Sequence, residues 1–162
     1  MAKKNFTWTQ DGPLPSIREH TKCKLDVLRQ YLDIYFETLT QPFGMDSLDV
    51  NLVDGFCGGG AYQDGENFKP GSHLILLEAV EDAEIRINAK RTKPLKINAR
   101  YYFVDAKADH IARLKSILSD KGYLPRLEDQ IIFVQGDFGS NLPKIMTNIA
   151  TKPRVGKSIF FT

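Results

Sequence analysis

Three carboxylates in this chain each follow an apolar run: Asp54 closes NLV, Asp105 closes YYFV, and Asp137 follows IIFVQG. A carboxylate offers two oxygens, so it can receive the paired hydroxyls of a ribose, an aminoacyl ammonium or an exocyclic amine. After the first acid comes a glycine cluster, Asp54-Gly55-Phe56-Cys57-Gly58-Gly59-Gly60. Glycine takes backbone angles closed to other residues, and its missing Cβ lets a ligand lie directly on the peptide groups. Acids at strand ends beside a bare-backbone turn are the parts from which a nucleoside site is built.

Two cofactor classes compete for such a turn. A dinucleotide site wants G-x-G-x-x-G opening into a helix whose N-terminal amides meet a pyrophosphate. Asp54 would repel a pyrophosphate but can accept from an aminoacyl ammonium. The spacing D-x-F-x-G-x-G resembles the first motif of S-adenosylmethionine-dependent methyltransferases and favours the sulfonium cofactor over a nicotinamide one. A purely structural glycine turn is the alternative. Asp105 is expected to take the ribose hydroxyls, or else to cap the helix that follows. It lies further from the turn than the roughly 20 residues of the dinucleotide fingerprint. Asp137 is expected to accept from the adenine amino group while Phe138 offers its face to the ring, the alternative being a loop acid beside a core aromatic.

The elements that must position these groups follow from periodicity. Val50, Leu52 and Val53 mark a buried strand before the turn; RYYFVD, QIIFVQ and SIFFT mark three more. Leu25, Leu28, Leu32, Tyr35, Phe36 and Leu39 keep helical spacing ahead of the first strand, and Ser16 with Glu19 stands in the capping-box arrangement. His20, Thr21, Lys22 and Lys24 begin that helix; Lys24 is expected to lean over the cofactor end of the sheet, unless this face is simply solvated. Ala61 to Gly71 reads as a polar loop covering the site, with Ser72 capping a helix toward Ala89 and His73 on its surface. Ile111, Leu114, Ile117 and Leu118 predict another helix up to Gly122. Asn141 and Pro143 predict the start of a short one. Alternation of strand and helix gives an α/β, Rossmann-like doubly wound fold with a mostly parallel sheet.

Composition excludes several classes. With 22 basic and 20 acidic residues among 162, the net charge is +2, so no global field argues for nucleic acid or membrane. The local exception runs from Arg86 to Arg100, six basic residues without an acid; it is either a phosphate-contacting patch or a solvated helix end and loop. Two cysteines, Cys23 and Cys57, lack metal-ligand spacing and suit reduced thiols in the cytoplasm. No secretory signal or long apolar run is present. Residues 1–15 read as a tail that docks through Phe6 and Trp8, and 16–162 as the domain.

The series HTKCKLDVLRQYL, NLVDGFCGGGAY, GSHLILLEA, YYFVD and SIFF resembles the three-Cys-motif partner family, a bacterial group with a class I methyltransferase-like fold. The likeness runs from about residue 20 onward. It implies S-adenosyl-L-methionine as cofactor, contacted by Asp54, Gly55, Phe56, Gly58 and Gly60, with Asp105 and Asp137 carried over as strand-end acids. It also implies a separate partner bearing a three-cysteine motif, and methyl transfer to nucleic acid or protein. Cys57, Gly59 and His73 depart from the family, which more often has alanine or proline there. The family continues beyond its fourth strand with an Asp-Pro-Phe/Tyr-Gly-like motif facing the transferred methyl, so a domain truncated at Thr162 and inactive alone is the expectation. The competing expectation is a non-catalytic module binding nucleic acid or a partner protein.

Overall fold

The computed structural model describes residues 6–42 and 44–161. The first five residues of the predicted tail and the Thr162 end of the last predicted strand lie outside them. The chain runs α1 (Glu19–Leu39), β1 (Ser47–Asp54), β2 (Ala61–Asp64), β3 (Asn67–Pro70), α2 (Ser72–Asn88), β4 (Lys96–Asp105), α3 (Ala108–Asp120), α4 (Tyr123–Arg126), β5 (Ile131–Gln135), α5 (Phe138–Ala150) and β6 (Lys157–Phe161). Four of the strands form one parallel sheet in the order β5-β4-β1-β6. The first long strand therefore sits inside the sheet, and the order reverses beside it. The protein is α/β and Rossmann-like.

The two faces of the sheet are covered unequally. Leu48, Val50 and Leu52 of β1, with Ile97, Ala99, Tyr101 and Phe103 of β4, point into the larger core. There they meet Leu32 and Phe36 of α1, nine buried positions of α2, and Leu114 and Leu118 of α3. Val53, Tyr102 and Val104 point the other way, onto Ile145 and Ile149 of α5. The alternation required by a period of two thus divides each strand between two cores. Toward the amino ends the second face turns polar, with Asn51 Nδ2 donating to the Val155 carbonyl at 2.6 Å and Tyr102 Oη donating to Asn148 Oδ1 at 2.8 Å.

Several expectations about element ends are corrected. Ser16 does not cap α1: the helix starts at Glu19 with Arg18 in the N-cap position, and Ser16 instead bridges to Gln63. The stretch Ala61 to Gly71 is a β-hairpin, closed at Gly65 with φ +60°. It forms because Gln63 exchanges backbone bonds with Pro15 and Ile17, both at 2.9 Å, which gives two short polar strands a third partner. Helix α5 begins at Phe138, earlier than Asn141, because Asp137 caps it; Pro143 lies inside the helix. The single-turn helix α4 follows Gly122, whose φ is +77°.

Candidate functional site

The chemistry gathers where β1 ends and the order of strands reverses. Gly55 N–H donates to the Phe161 carbonyl at 2.8 Å and Cys57 N–H to the Val104 carbonyl at 3.0 Å, so the turn is bonded to both neighbouring strands. Gly58 and Gly60 have φ of +63° and +109°, conformations that side-chain-bearing residues rarely adopt. Gly55 and Gly59 are glycines for a different reason. A Cβ on Gly55 would lie 2.9 Å from Phe138 Cγ, and one on Gly59 would collide with Trp8 Cγ. The bare backbone is thus largely clad by this chain's own aromatics, a use of glycine that the sequence reading assigned to a ligand.

Asp54 is 4% exposed. Its Oδ1 accepts from Phe56 N–H at 3.2 Å and its Oδ2 accepts from the Ser72 hydroxyl. Ser72 therefore does not cap α2, whose N-cap is Gly71; it is drawn to the acid instead. Burial pushes the Asp54 carboxyl up to about 6, aided by the neighbouring Asp105 and opposed by the two donors. A carboxylate in this setting has taken up part of its accepting capacity but meets no lysine or arginine among the described residues.

Asp105, from the end of β4, turns back onto the turn. Its Oδ2 accepts from Gly58 N–H at 3.0 Å and its Oδ1 from Lys107 N–H at 2.9 Å. His110 Nδ1 stands 3.0 Å from the same Oδ1, without hydrogen-bond alignment at either ring nitrogen. The N-cap of α3 is Lys107, with no side-chain cap, so Asp105 does not cap that helix in the usual sense. Asp137 is exposed and its Oδ2 accepts from Ser140 N–H at 2.8 Å and from the Ser140 hydroxyl at 3.0 Å. Those donors hold its carboxyl below the ordinary value. Phe138 lies over Gly55, with its ring 6.2 Å from that of Phe56, and Phe56 is 68% exposed.

The structure thus brings Asp54, Gly55, Phe56, Gly58, Asp105 and Phe138 to one end of the sheet, and sets Asp137 as the cap beside them. Gly60 turns toward the interior, where Ile117 Cδ1 lies 2.9 Å from a Cβ position. Lys24 is exposed on α1, and its neighbour Lys22 pairs with Asp64 of the hairpin at 2.9 Å. No contact of the turn involves Lys24 among the described residues.

Trp8 docks as expected, and two histidines at the turn carry more than their sequence context suggests. His73 is fully buried behind it and not on the surface of α2. Burial pushes its imidazole down to about 4, with the backbone of Gly60 and Cys57 opposing, and neither ring nitrogen has an aligned partner. His110 is 6% exposed. Trp8 is 5% exposed, donates its indole N–H to the Ala61 carbonyl at 2.7 Å, and sets its ring edge-on to His110 at 4.9 Å and Tyr62 at 5.3 Å. The only available signal was that a single tryptophan stands in an otherwise polar segment.

The basic run is otherwise engaged. Arg86 pairs with Asp33 and Glu37, Lys90 with Glu37, Lys93 with Asp46 and Lys96 with Glu84. Arg91 donates to the Thr40, Met45 and Lys93 carbonyls, and Arg100 to those of Arg154 and Val155. Each of the six cations has an acceptor inside the chain.

Among the described residues no helix is long and apolar enough to cross a membrane. No protein-family model and no curated protein matches this chain. What its own geometry defines is the class: an α/β, Rossmann-like protein whose glycine turn and strand-end acids meet at the reversal point of the sheet, where open α/β sheets bind their ligands.

Proposed function

We propose that this chain is an S-adenosyl-L-methionine-binding, methyltransferase-like domain of the three-Cys-motif partner type. In this reading it serves methyl transfer to a nucleic-acid or protein acceptor in the cytoplasm, alongside a protein bearing a three-cysteine motif. The observation that carries the reading is that Asp54 and Asp105, at the ends of adjacent parallel strands and beside the reversal of strand order, both accept from the glycine turn, Asp54 from Phe56 N–H and Asp105 from Gly58 N–H. That order, third-second-first-fourth, matches the first four strands of the doubly wound arrangement.

The residues present fit the cofactor's parts. Asp105 retains lone pairs beyond those given to Gly58 and Lys107, enough to receive ribose hydroxyls. Asp54 meets no cation among its own partners, which suits an aminoacyl ammonium. Phe56 and Phe138 supply aromatic surface for a purine. When bound, the cofactor supplies an electrophilic methyl group; the chain's own part is to bind, orient and exclude water.

Calorimetry with S-adenosylhomocysteine tests the reading. Binding of the wild-type chain is expected, and Asp105→Ala removes hydrogen bonds to a charged acceptor, so affinity should fall about 10- to 100-fold. Absence of binding by the wild-type chain, or an unchanged affinity in Asp105→Ala, overturns it. Parallel titrations with nicotinamide dinucleotides should show no heat.

A further inference from the structure

We propose that His110 and Trp8 are positioning residues that hold the Asp105 carboxylate in place for its ligand. The inference deepens the reading of Asp105 as a ligand acceptor and rests on it.

Four contacts close a ring at the turn. Trp8 covers Gly58 and Gly59, with Cη2 lying 3.0 Å from a Cβ position on Gly58. Gly58 N–H bonds to Asp105 Oδ2 at 3.0 Å. Asp105 Oδ1 stands 3.0 Å from His110 Nδ1. The imidazole is in turn wedged edge-on against the Trp8 indole at 4.9 Å. Displacing any member loosens the next. Indole orientation is fixed from outside the ring by the bond to Ala61 and by contacts with Phe6 and Tyr62, and the segment is tied down further on by Arg113 donating to the Gln10 carbonyl at 2.8 Å.

His110 has no other evident task. It is buried, both nitrogens lack an aligned hydrogen bond, and a polar group left so is costly unless its position is used. Its Nδ1 faces the oxygen of Asp105 that Lys107 also contacts, so a small rotation of the imidazole makes a direct Nδ1–H donation to the carboxylate. A donor there selects the rotamer of Asp105 that reaches Gly58 and leaves the second lone pair of Oδ2 for a ligand hydroxyl. Second-layer orientation of this kind is how ligand-binding carboxylates are kept in one geometry.

The test needs a readout of Asp105 that is independent of any cofactor, and the Gly58 amide supplies one. In the full chain without ligand, Gly58 N–H exchange is expected to quicken about tenfold in His110→Ala, as the carboxylate loses its support. S-adenosylhomocysteine affinity should fall by a similar factor. His110→Asn, whose amide nitrogen takes the place of Nδ1, should restore both, whereas His110→Gln, whose amide nitrogen takes the place of Nε2, should not. Trp8→Phe, which keeps an aromatic against His110 but loses the bond to the Ala61 carbonyl that fixes its orientation, should lose part of the Gly58 protection, and full protection in that variant overturns the role of Trp8. Should His110→Ala fail to fold, the Asn and Gln pair decides alone. If Gly58 exchange is the same in wild type, His110→Ala and His110→Gln, the proposal is overturned. A chain in which Gly58 protection follows His110 but the wild type binds no S-adenosylhomocysteine upholds the positioning role and removes the cofactor reading.

Discussion

At the amino end of the parallel sheet the basic run from Arg86 onward is paired cation by cation with Asp33, Glu37, Asp46, Glu84 and backbone carbonyls. At the carboxyl end Asp54 and Asp105 stand together, held by backbone N–H groups and a serine hydroxyl, with His110 Nδ1 3.0 Å from Asp105, and neither meets a lysine or arginine among the described residues. The first end uses charge to finish its own structure. The second gathers two acids in a buried place, where desolvation raises the Asp54 carboxyl and the Phe56 and Ser72 donors offset part of that cost. A cavity of about 460 Å³ lies at the first end, lined by Lys90, Arg91 and Lys93. Cavity size alone points to the end where those cations are engaged, away from Asp54 and Asp105.

The comparison breaks most severely at Trp8. If the aromatic cladding of the turn is what keeps the acids in place, Trp8→Ala should cost about 3–5 kcal/mol, as expected for a buried aromatic reduced to alanine. Urea unfolding measures it. A loss below about 1 kcal/mol, the size of an ordinary surface change, would mean that the amino-terminal segment is a detachable tail, and that the turn holds its shape without it.

A smaller effect of opposite sign is expected at Asp54. Its folded carboxyl titrates near 6 and its unfolded one near 3.8, so the folded state binds the proton more tightly. Between those values the folded protein holds more protons than the unfolded chain, and stability falls as pH rises through the window. A shift of that size corresponds to about 3 kcal/mol at most, paid as desolvation of the carboxylate above pH 6. Asp54→Asn keeps the shape, accepts from Phe56 N–H and can donate to the Ser72 hydroxyl. It should therefore stabilise the protein by about 1–3 kcal/mol at pH 7.5 and by little at pH 4. Thermal unfolding at both values checks it. Equal effects at the two pH values would show that desolvation of the charge is not the cost, and that the contrast between the ends is only one of packing.

The frame of this contrast was legible in the sequence, and its details were not. Strands that end in Asp54 and Asp105, and helices with Leu32, Phe36, Leu114 and Leu118 at helical spacing, are read from periodicity because burial on one face imposes it. The hairpin from Ala61 to Pro70 was read as loop because its strands are four residues each and half-exposed; pairing with Pro15 and Ile17 stabilises them, and no local pattern reports a partner from elsewhere in the chain. The same limit applies to Ser72 and Ser16. A serine before a helix has the chemistry of a cap, and only the position of Asp54 draws Ser72 away from that role. His73 is expected on the surface and His110 draws no expectation for a related reason, since a histidine carries no periodic signal and its burial depends on which residues close over it.

The smallest effects sharpen the comparison at the amino end. Arg91 reaches the Thr40 and Met45 carbonyls of the α1 to β1 connection as well as that of Lys93, so Arg91→Ala should cost about 1–2 kcal/mol through donors that satisfy part-buried acceptors. Lys90 and Lys93 are 73% and 62% exposed along their side chains, and their pairs with Glu37 and Asp46 are long, at 4.0 and 3.6 Å. Exposed pairs of this kind contribute at most about 1 kcal/mol and often nothing. Lys90→Gln with Lys93→Gln should leave stability almost unaltered and leave any binding of S-adenosylhomocysteine unchanged. The same double variant separates the proposed function from its rival. If the basic run were a nucleic-acid surface, affinity for single- or double-stranded DNA or RNA would fall and its dependence on salt would flatten by about one unit of log–log slope per lost phosphate contact. The chain's net charge is only +2, so the expected result is weak binding in the parent and no change of slope in the variant. A clear flattening would move the functional surface to the opposite end of the sheet.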